Sequence, residues 1–135
     1  MNAPVIGTAV GIILRAEHLA ILVAGVVLWL ANGGPPLLLI PAWLLVDASM
    51  IGYLGGPRLG SITYNAAHNL VLPLALIGLG WWTDVGWQVL AGAVFLTHVG
   101  LDRTLGYGLK LPSDFRDTHL GRIGKTGSPL VRPPG

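Results

Sequence analysis

Four long apolar stretches separated by short turns dominate the sequence. Each holds close to the ~20 residues that a helix needs to cross a bilayer core about 30 Å thick. Arg15, Glu17 and His18 interrupt the first stretch, so two starting points are considered for it. The predicted spans run from about Val5 or Glu17 to Ala31, from 37 to 54, from 61 to 79 and from 87 to 105.

The turns at 32–36, 55–60 and 81–86 contain Gly, Pro, Asn or Asp, which interrupt helices. Because these turns are short, neighbouring helices are expected to be antiparallel. We therefore predict an all-α integral membrane protein: a compact bundle of four transmembrane helices with short turns and a polar C-terminal tail. Residues 1–108 form the predicted transmembrane domain, and residues 109–135 form a cytoplasmic tail that is partly ordered at the membrane surface.

The composition fits this class. Of 135 residues, 53% are hydrophobic and only 10% are charged, whereas soluble domains carry about 25% charged residues. The chain is therefore expected to lie in a lipid bilayer. A formal net charge of +2 gives no reason to expect nucleic-acid binding. Cysteine is absent, which excludes a thiol nucleophile and a thiolate metal site. The sequence identifies no cofactor.

The basic residues indicate an orientation. All eight Lys and Arg residues fall toward one side of the four-span arrangement, and the other side carries only Asp84. Cytoplasmic segments carry an excess of Lys and Arg, and indoles favour the membrane interface. Trp29, Trp81, Trp82 and Trp87 lie at the boundary opposite to the basic residues. We expect both termini to be cytoplasmic, in the inner (plasma) membrane of a bacterial cell.

Polar residues interrupt several of the apolar spans at a similar depth. Asp47, His68 and His98 each lie about seven residues, or ~10 Å, from the inner end of their span. Asp102 is nearer the surface, and Glu17 enters from the inner end of the first span. Charges inside membrane helices are costly and usually face a protein interior or a water-filled cavity. The matched depths therefore predict a polar pocket in the cytoplasmic half of the bundle.

Residue types suggest roles within that pocket. A buried carboxyl such as Asp47 can remain protonated and act as a general acid. His98 and Asp102 are four residues apart and share a helix face, so they are expected to act as a base or an orienting pair. Glu17 is expected to close the catalytic site. The predicted substrate-binding residues are Tyr53, Tyr64, Asn65, His68, Asn69, Arg103 and Tyr107.

Acid–base chemistry on a lipophilic small molecule, of the isomerase or terpene-cyclase kind, is the leading hypothesis. A metal-dependent hydrolase or oxidase is the alternative, with His68, His98 and Asp102 as ligands together with Asp47 or Glu17. A third hypothesis is a non-enzymatic membrane subunit or a proton-conducting or transport component. The polar residues would have only a structural role if they simply joined helices by hydrogen bonds.

Small residues repeat at helical spacing in two places, Gly7 to Gly11 and Gly52 to Gly56. Such pairs let two helices approach closely. They predict close packing within the bundle, or an oligomer formed through these helix faces.

Four segments of the chain resemble one known family. They are 47–53 (Asp-Ala-Ser-Met-Ile-Gly-Tyr), 64–68 (Tyr-Asn-Ala-Ala-His), 98–110 and 115–121. The sequence is similar, over about 14–125, to the small bacterial membrane proteins grouped as domain of unknown function 4260. The family pattern also has an acidic residue at the position of Glu17, but has Pro where this chain has Val46. The resemblance implies a membrane protein and singles out the same polar residues, and it implies no reaction.

Overall fold

A computed structural model describes residues 8–124. Within these residues the chain forms five α-helices, two 3-10 segments and one two-stranded hairpin. The helices are α1 (Ala9–Ala31), α2 (Leu39–Asp47), α3 (Pro57–Ala67), α4 (Val71–Thr83) and α5 (Gly86–Leu105). The 3-10 segments are Pro36–Leu38 and Ala48–Gly55, and the strands are β1 (Asp117–Thr118) and β2 (Gly121–Arg122).

The predicted all-α membrane bundle is confirmed, and the protein is an integral membrane protein. In the described part of the chain, three helical stretches are long and apolar enough to cross a membrane: Ala9–Ala31, Pro36–Gly55 and Pro57–Thr83. The fourth predicted span corresponds to α5, which has 20 residues but is not among these three stretches. Val5, Gly7 and the tail from residue 125 onward, which figured in the sequence predictions, lie outside the described residues.

Helix α1 begins eight residues before the later of the two predicted starts. The Thr8 side chain accepts a hydrogen bond from the Gly11 amide at 3.1 Å, which caps the first turn. At the other end, the Asn32 side chain donates to the Leu28 carbonyl at 2.8 Å. The helix therefore continues through Glu17 without a break.

The third predicted span is not one helix, which corrects the sequence prediction. Helix α3 ends at Ala67 and α4 begins at Val71, so residues 68–70 are not helical. Pro73 in the first turn of α4 has no backbone N–H, so it cannot continue the hydrogen-bond pattern of α3. Non-helical backbone at membrane depth is tolerated where protein buries it or where it lines a cavity. The break therefore marks a specialised part of the bundle.

Helix α5 lies at the centre of the bundle and packs against α1, α2 and α4. Two glycines allow the neighbouring backbones to come close. A Cβ at Gly100 would lie 2.8 Å from the Leu22 amide nitrogen of α1, and one at Gly92 would lie 2.9 Å from the Pro73 carbonyl oxygen of α4. Only glycine fits these contacts without a shift of backbone. Gly52, half of a predicted small-residue pair, packs against Thr63 of the same chain.

The segment after α5 folds back onto the bundle. Gly106 ends α5 with a φ of 97°, a conformation that favours glycine. The chain then pairs Lys110 with Thr118 in an isolated bridge and forms the β1–β2 hairpin. The first part of the predicted tail is thus an ordered part of the domain, up to about residue 123.

Candidate functional site

The break between α3 and α4 is stabilised by side chains. The Asn69 amide nitrogen donates to the carbonyls of Asn65 and Ala66 at 2.9 Å, and the Asn69 side-chain oxygen accepts from the Leu72 amide at 2.9 Å. Arg103 of α5 donates to the His68 carbonyl at 3.0 Å. These bonds satisfy backbone groups that the missing helical turn would leave unpaired. They hold His68 at the inside of the bundle, where it is 2% exposed.

Helix α2 is anchored against α5 by a hydrogen bond from the Trp43 indole to the Thr97 hydroxyl, 2.9 Å long. Asp47 lies four residues after Trp43 and therefore on the same face of α2. This anchor directs Asp47 toward His98, which follows Thr97 on α5. Trp43 also contacts the His98 ring edge to face, with ring centroids 6.4 Å apart.

Three side-chain atoms, from α2, from α5 and from the break between α3 and α4, converge on one point. His98 Nε2 lies 3.1 Å from Asp47 Oδ1, and His68 Nε2 lies 3.3 Å from the same oxygen. The two Nε2 atoms are 3.2 Å apart. The three atoms therefore form a nearly equilateral triangle, with both histidines buried and Asp47 half-buried.

Asp102 forms the edge of this cluster. Its Oδ2 lies 3.5 Å from His98 Nε2 and 3.8 Å from His68 Nε2. The Tyr64 hydroxyl donates to the same oxygen at 3.2 Å. The Tyr64 ring also stacks on the His68 ring, with centroids 3.7 Å apart. Asp102 is thus a neighbour of the triangle that is oriented by a tyrosine.

The hydrogen bonds of the two imidazoles differ. His68 Nδ1 lies 2.9 Å from the Tyr64 carbonyl, so Nδ1 carries a proton that it donates there. In the neutral ring, His68 Nε2 then has a free lone pair that faces the triangle. His98 Nδ1 is buried and has no hydrogen-bond partner among the described residues.

The triangle has the dimensions of a metal site. Nitrogen and oxygen ligands bind Zn²⁺ at about 2.0–2.2 Å, so two ligand atoms of a tetrahedral site are separated by about 3.3 Å. Two histidines and one carboxylate also form the ligand set of mononuclear iron sites with open positions. The partner of His68 Nδ1 supplies the second hydrogen bond that metal-binding histidines usually make. The residues of the triangle therefore fit a divalent transition metal.

A cavity of about 330 Å³ lies beside the cluster. Asp47, Asp102 and Tyr64 belong both to the cluster and to the cavity wall. The remaining wall residues are mostly apolar or aromatic, and one of them is a lysine: Met50, Tyr107, Lys110, Phe115 and Ile123. A molecule in this cavity would contact both the cluster and an apolar surface.

Some predicted site residues are used differently. Glu17 is exposed on α1 and makes no hydrogen bond or ion pair with the cluster in the described residues, which corrects its predicted position. The reason is the rotation of α1 about its axis. Its face with His18 and Leu22 packs against Gly100 of α5. Glu17 lies about 100° around the helix from His18, so it does not face α5.

The side-chain amide of Asn65 binds backbone, as does that of Asn69. Asn65 donates to the Lys110 carbonyl at 2.8 Å and accepts from the Lys110 amide at 2.7 Å. The Tyr53 ring packs edge to face against Phe115, with centroids 5.1 Å apart. These residues, like Arg103, do not belong to the cluster. They hold the backbone or the side chains of residues that form the cluster or the cavity wall.

Sequence reasoning missed Lys110, Phe115, Met50 and Ile123 as cavity residues. The sequence prediction places Lys110 and Phe115 in a tail, although both fall in the segments that carry the family resemblance. The pairing of Asn65 with Lys110 joins residues 45 positions apart, and neither periodicity nor spacing indicates such a contact.

Two titratable groups outside the spans are shifted. Burial lowers the pKa of Lys110, while the negative charge of Asp102 acts in the opposite direction. Burial and the positive charge of Arg103 also lower the pKa of His119. The Leu109 amide donates to His119 Nδ1 at 2.9 Å, which requires that this nitrogen is unprotonated.

Comparison with known proteins places the chain in a family. The family model described as "Domain of unknown function (DUF4260)" matches residues 11–123, which include the cluster and the cavity residues. The chain belongs to this family. No curated protein and no solved structure matches the chain.

Proposed function

We propose that this member of the DUF4260 family is a small membrane hydrolase that binds one divalent transition metal ion and acts on a lipophilic substrate. Asp47, His68 and His98 are the proposed ligands. The observation that carries the proposal is the triangle of their three atoms, with sides of 3.1, 3.2 and 3.3 Å.

The electrostatics of the triangle favour a bound cation. His68 Nε2 offers a lone pair because its Nδ1 proton is donated to the Tyr64 carbonyl. The Oδ1 atom of Asp47 is a second acceptor. One proton on His98 Nε2 can be directed at only one of these two acceptors, whereas a metal ion interacts with all three atoms at once. For this reason we place the metal-dependent hydrolase ahead of the metal-free chemistry that the sequence favoured.

A metal held by these three residues would supply Lewis-acid chemistry and an activated water. Asp102 would serve as the proton acceptor, since its Oδ2 lies 3.5 Å from His98 Nε2 at the edge of the cluster. The Tyr64 hydroxyl holds this oxygen in position. The apolar part of the cavity wall, which includes Met50 and Ile123, receives the hydrocarbon portion of the substrate.

Metal analysis of the purified protein tests the proposal. We expect about one Zn²⁺ or Fe²⁺ per chain in the wild type, and loss of that metal in His68→Gln, His98→Gln and Asp47→Asn. His18→Gln is the matched control, because His18 lies on α1 and its Nδ1 lies 2.7 Å from the Leu14 carbonyl instead. A wild type that binds no divalent metal, or a His98→Gln variant that keeps it, would contradict the proposal.

Metal-free acid–base chemistry is the second candidate, and the environment of His98 favours it. Because His98 Nδ1 is buried without a partner in the described residues, the proton of a neutral ring is best placed on Nε2, directed at Asp47. Asp47 and His98 would then exchange a proton with an isomerisation or cyclisation substrate. This candidate predicts a fully active protein after treatment with a chelator, whereas the hydrolase would lose activity and regain it with added metal.

We further propose that the cavity opens toward the cytoplasm. The bias of basic residues supports this orientation. Since the chain has no cysteine, single substitutions Asp84→Cys and Arg116→Cys provide unique labelling sites. A membrane-impermeant maleimide added to intact cells should label position 84 and not position 116. The reverse pattern would invert the orientation.

A further inference from the structure

Lys110 is a buried residue that lines the cavity. The residue is only 5% exposed, yet it belongs to the cavity wall. Its Nζ lies 4.1 Å from the centre of the Phe115 ring and 5.2 Å from that of the Tyr64 ring. Among the described residues, Nζ makes no hydrogen bond and no ion pair within 4 Å. An ammonium that lies over aromatic faces, with no carboxylate within ion-pair distance, can bind an anion from solution.

The backbone of Lys110 is fixed before any ligand arrives. Asn65 binds both the amide and the carbonyl of Lys110, and the bridge to Thr118 holds the other edge of the segment. Asn65 stands on α3, three residues before His68. Helix α3 therefore positions both the Lys110 backbone, through Asn65, and His68 of the triangle, which directly follows α3. The fold thus sets the distance between the ammonium and the triangle.

Charge balance decides what the cavity attracts. Asp47 and Asp102 alone would give the cavity wall a net negative charge and would repel an anion. With a divalent cation at the triangle, the two carboxylates are offset and the Lys110 ammonium remains in excess. An anionic oxygen group between the metal and Lys110 would then be stabilised from both sides.

The rest of the wall is apolar or aromatic, with Met50, Tyr107 and Ile123. Such a surface suits a hydrocarbon chain. We propose that the substrate is an amphiphile whose head group carries a phosphate or another anionic oxygen group, and that Lys110 binds this group. The inference rests on the proposed function for the neighbouring metal, but it assigns a specificity residue that acts by its own charge.

Binding of dodecyl phosphate to the purified protein in a neutral detergent, measured by calorimetry, tests the inference. We expect Lys110→Met to weaken binding about tenfold or more, because a charge-assisted hydrogen bond in a buried site is lost. Lys110→Arg should restore much of the affinity. Arg116→Met is the matched control: it removes one positive charge from the same segment at an exposed position outside the cavity wall. Equal losses in Lys110→Met and Arg116→Met would overturn the inference.

Two further probes distinguish an amphiphile with an anionic head group from a free anion. Inorganic phosphate should bind more weakly than dodecyl phosphate, and dodecyltrimethylammonium should not compete with it. If inorganic phosphate binds as tightly, the site recognises a free anion and the amphiphile part of the inference fails. Competition by the cationic detergent would overturn the inference as a whole.

A footprint on the wild type keeps the test valid if Lys110→Met does not fold. Dodecyl phosphate should slow acylation of Lys110 by an amine-reactive reagent, read by mass spectrometry, while Lys125 serves as the internal reference. If dodecyl phosphate does not slow the acylation of Lys110 relative to that of Lys125, the inference is overturned. Metal content is measured on the same samples, so a protein that binds metal but does not protect Lys110 separates this failure from a failure of the proposed function.

Discussion

The two ends of α5 lie in different surroundings. Toward its N-terminus, Ala93 is fully buried against Trp29 of α1 and Leu39 of α2, in an apolar cluster. Toward its C-terminus, His98 and Asp102 face His68 and Asp47. One helix of 20 residues thus passes from a packed apolar core into a polar site.

Backbone regularity changes in the same direction. Helices α1 and α5 run through both halves as unbroken α-helices. In the polar half, α2 passes into the 3-10 segment Ala48–Gly55, and the chain leaves helical geometry at residues 68–70. Irregular backbone in a bilayer needs internal partners for its polar groups. The comparison indicates that polar side chains here serve two purposes, since some form the cluster and others support the backbone that positions it.

The largest expected effect separates chemistry from structure in the polar half. Asp102→Asn should reduce hydrolysis of a long-chain chromogenic ester or phosphodiester by about 10²-fold or more, because it removes the proton acceptor. Its free energy of unfolding should change little, since hydrogen bonds between membrane helices average ~0.6 kcal/mol. Activity, metal content and unfolding are measured on the same preparation.

Gln88→Leu is the control for Asp102→Asn, because Gln88 lies at the other end of α5 and its buried side-chain oxygen has no partner in the described residues. This variant should keep full activity. If Asp102→Asn also retains full activity, Asp102 has no catalytic role. Combining Asp102→Asn with His98→Gln should cost little more than either change alone, because residues acting as a unit are not additive.

A substitution in the apolar half should lower the stability of the protein and leave the polar site intact. A Cβ at Gly92 would lie 2.9 Å from the Pro73 carbonyl oxygen and 3.1 Å from the Ile77 amide nitrogen. Gly92→Ala should therefore lower the free energy of unfolding by ~1–3 kcal/mol, as overpacking does, and the folded fraction should retain its metal. Gly78→Ala is the control, because nothing lies within 4 Å of a Cβ at Gly78. An equal effect in both variants would show that α4 and α5 are not closely packed.

The helix break should link stability to the site. Asn69→Ala removes the side-chain hydrogen bonds to the Asn65 and Ala66 carbonyls of α3 and to the Leu72 amide of α4. We therefore expect a loss of ~1 kcal/mol in the free energy of unfolding. The affinity for metal should fall by about 10-fold, because His68 adjoins Asn69 and loses its fixed orientation. Metal titration and denaturation measure the two effects.

Asn32→Ala gives the comparison for this pair of measurements. Asn32 caps the exposed end of α1 and has no hydrogen bond with the cluster among the described residues. The Asn32→Ala variant should lose less free energy of unfolding than Asn69→Ala, and its affinity for metal should not change. Loss of metal affinity in Asn32→Ala but not in Asn69→Ala would contradict the supporting role of the break.

The smallest effect concerns the segment that covers the polar half. The pKa of His119 in the folded protein lies below its unfolded value of about 6.5. The contribution of neutral His119 to stability is thus present above that value and is lost as the pH falls through the folded pKa. Protonation also removes the acceptor of the Leu109 amide.

Hydrogen exchange, corrected for the intrinsic effect of pH, should show the protection of the Leu109 amide falling as the pH is lowered below about 6.5. The variant His119→Gln should lose this dependence, because glutamine does not titrate. Constant protection of the wild type over this range would show that His119 does not control the docking of the segment.

The sequence by itself determined the class of the protein and the residues of the cluster. Stretches of ~20 apolar residues form membrane helices whatever their partners, because each helix satisfies its own backbone hydrogen bonds. Polar residues inside such stretches stand out for the same reason. Asp47, His68, His98 and Asp102 were therefore identifiable without knowledge of the packing.

The tertiary structure alone decided how these residues meet. The separations of 3.1–3.3 Å in the triangle depend on the rotation of α2 against α5 and on the break at His68, which side chains from other parts of the chain stabilise. The same holds for Glu17, which packing turned away from the cluster, and for Lys110, which Asn65 holds from 45 residues away. Local sequence sets which residues share a helix face, but contacts between distant segments set which faces meet.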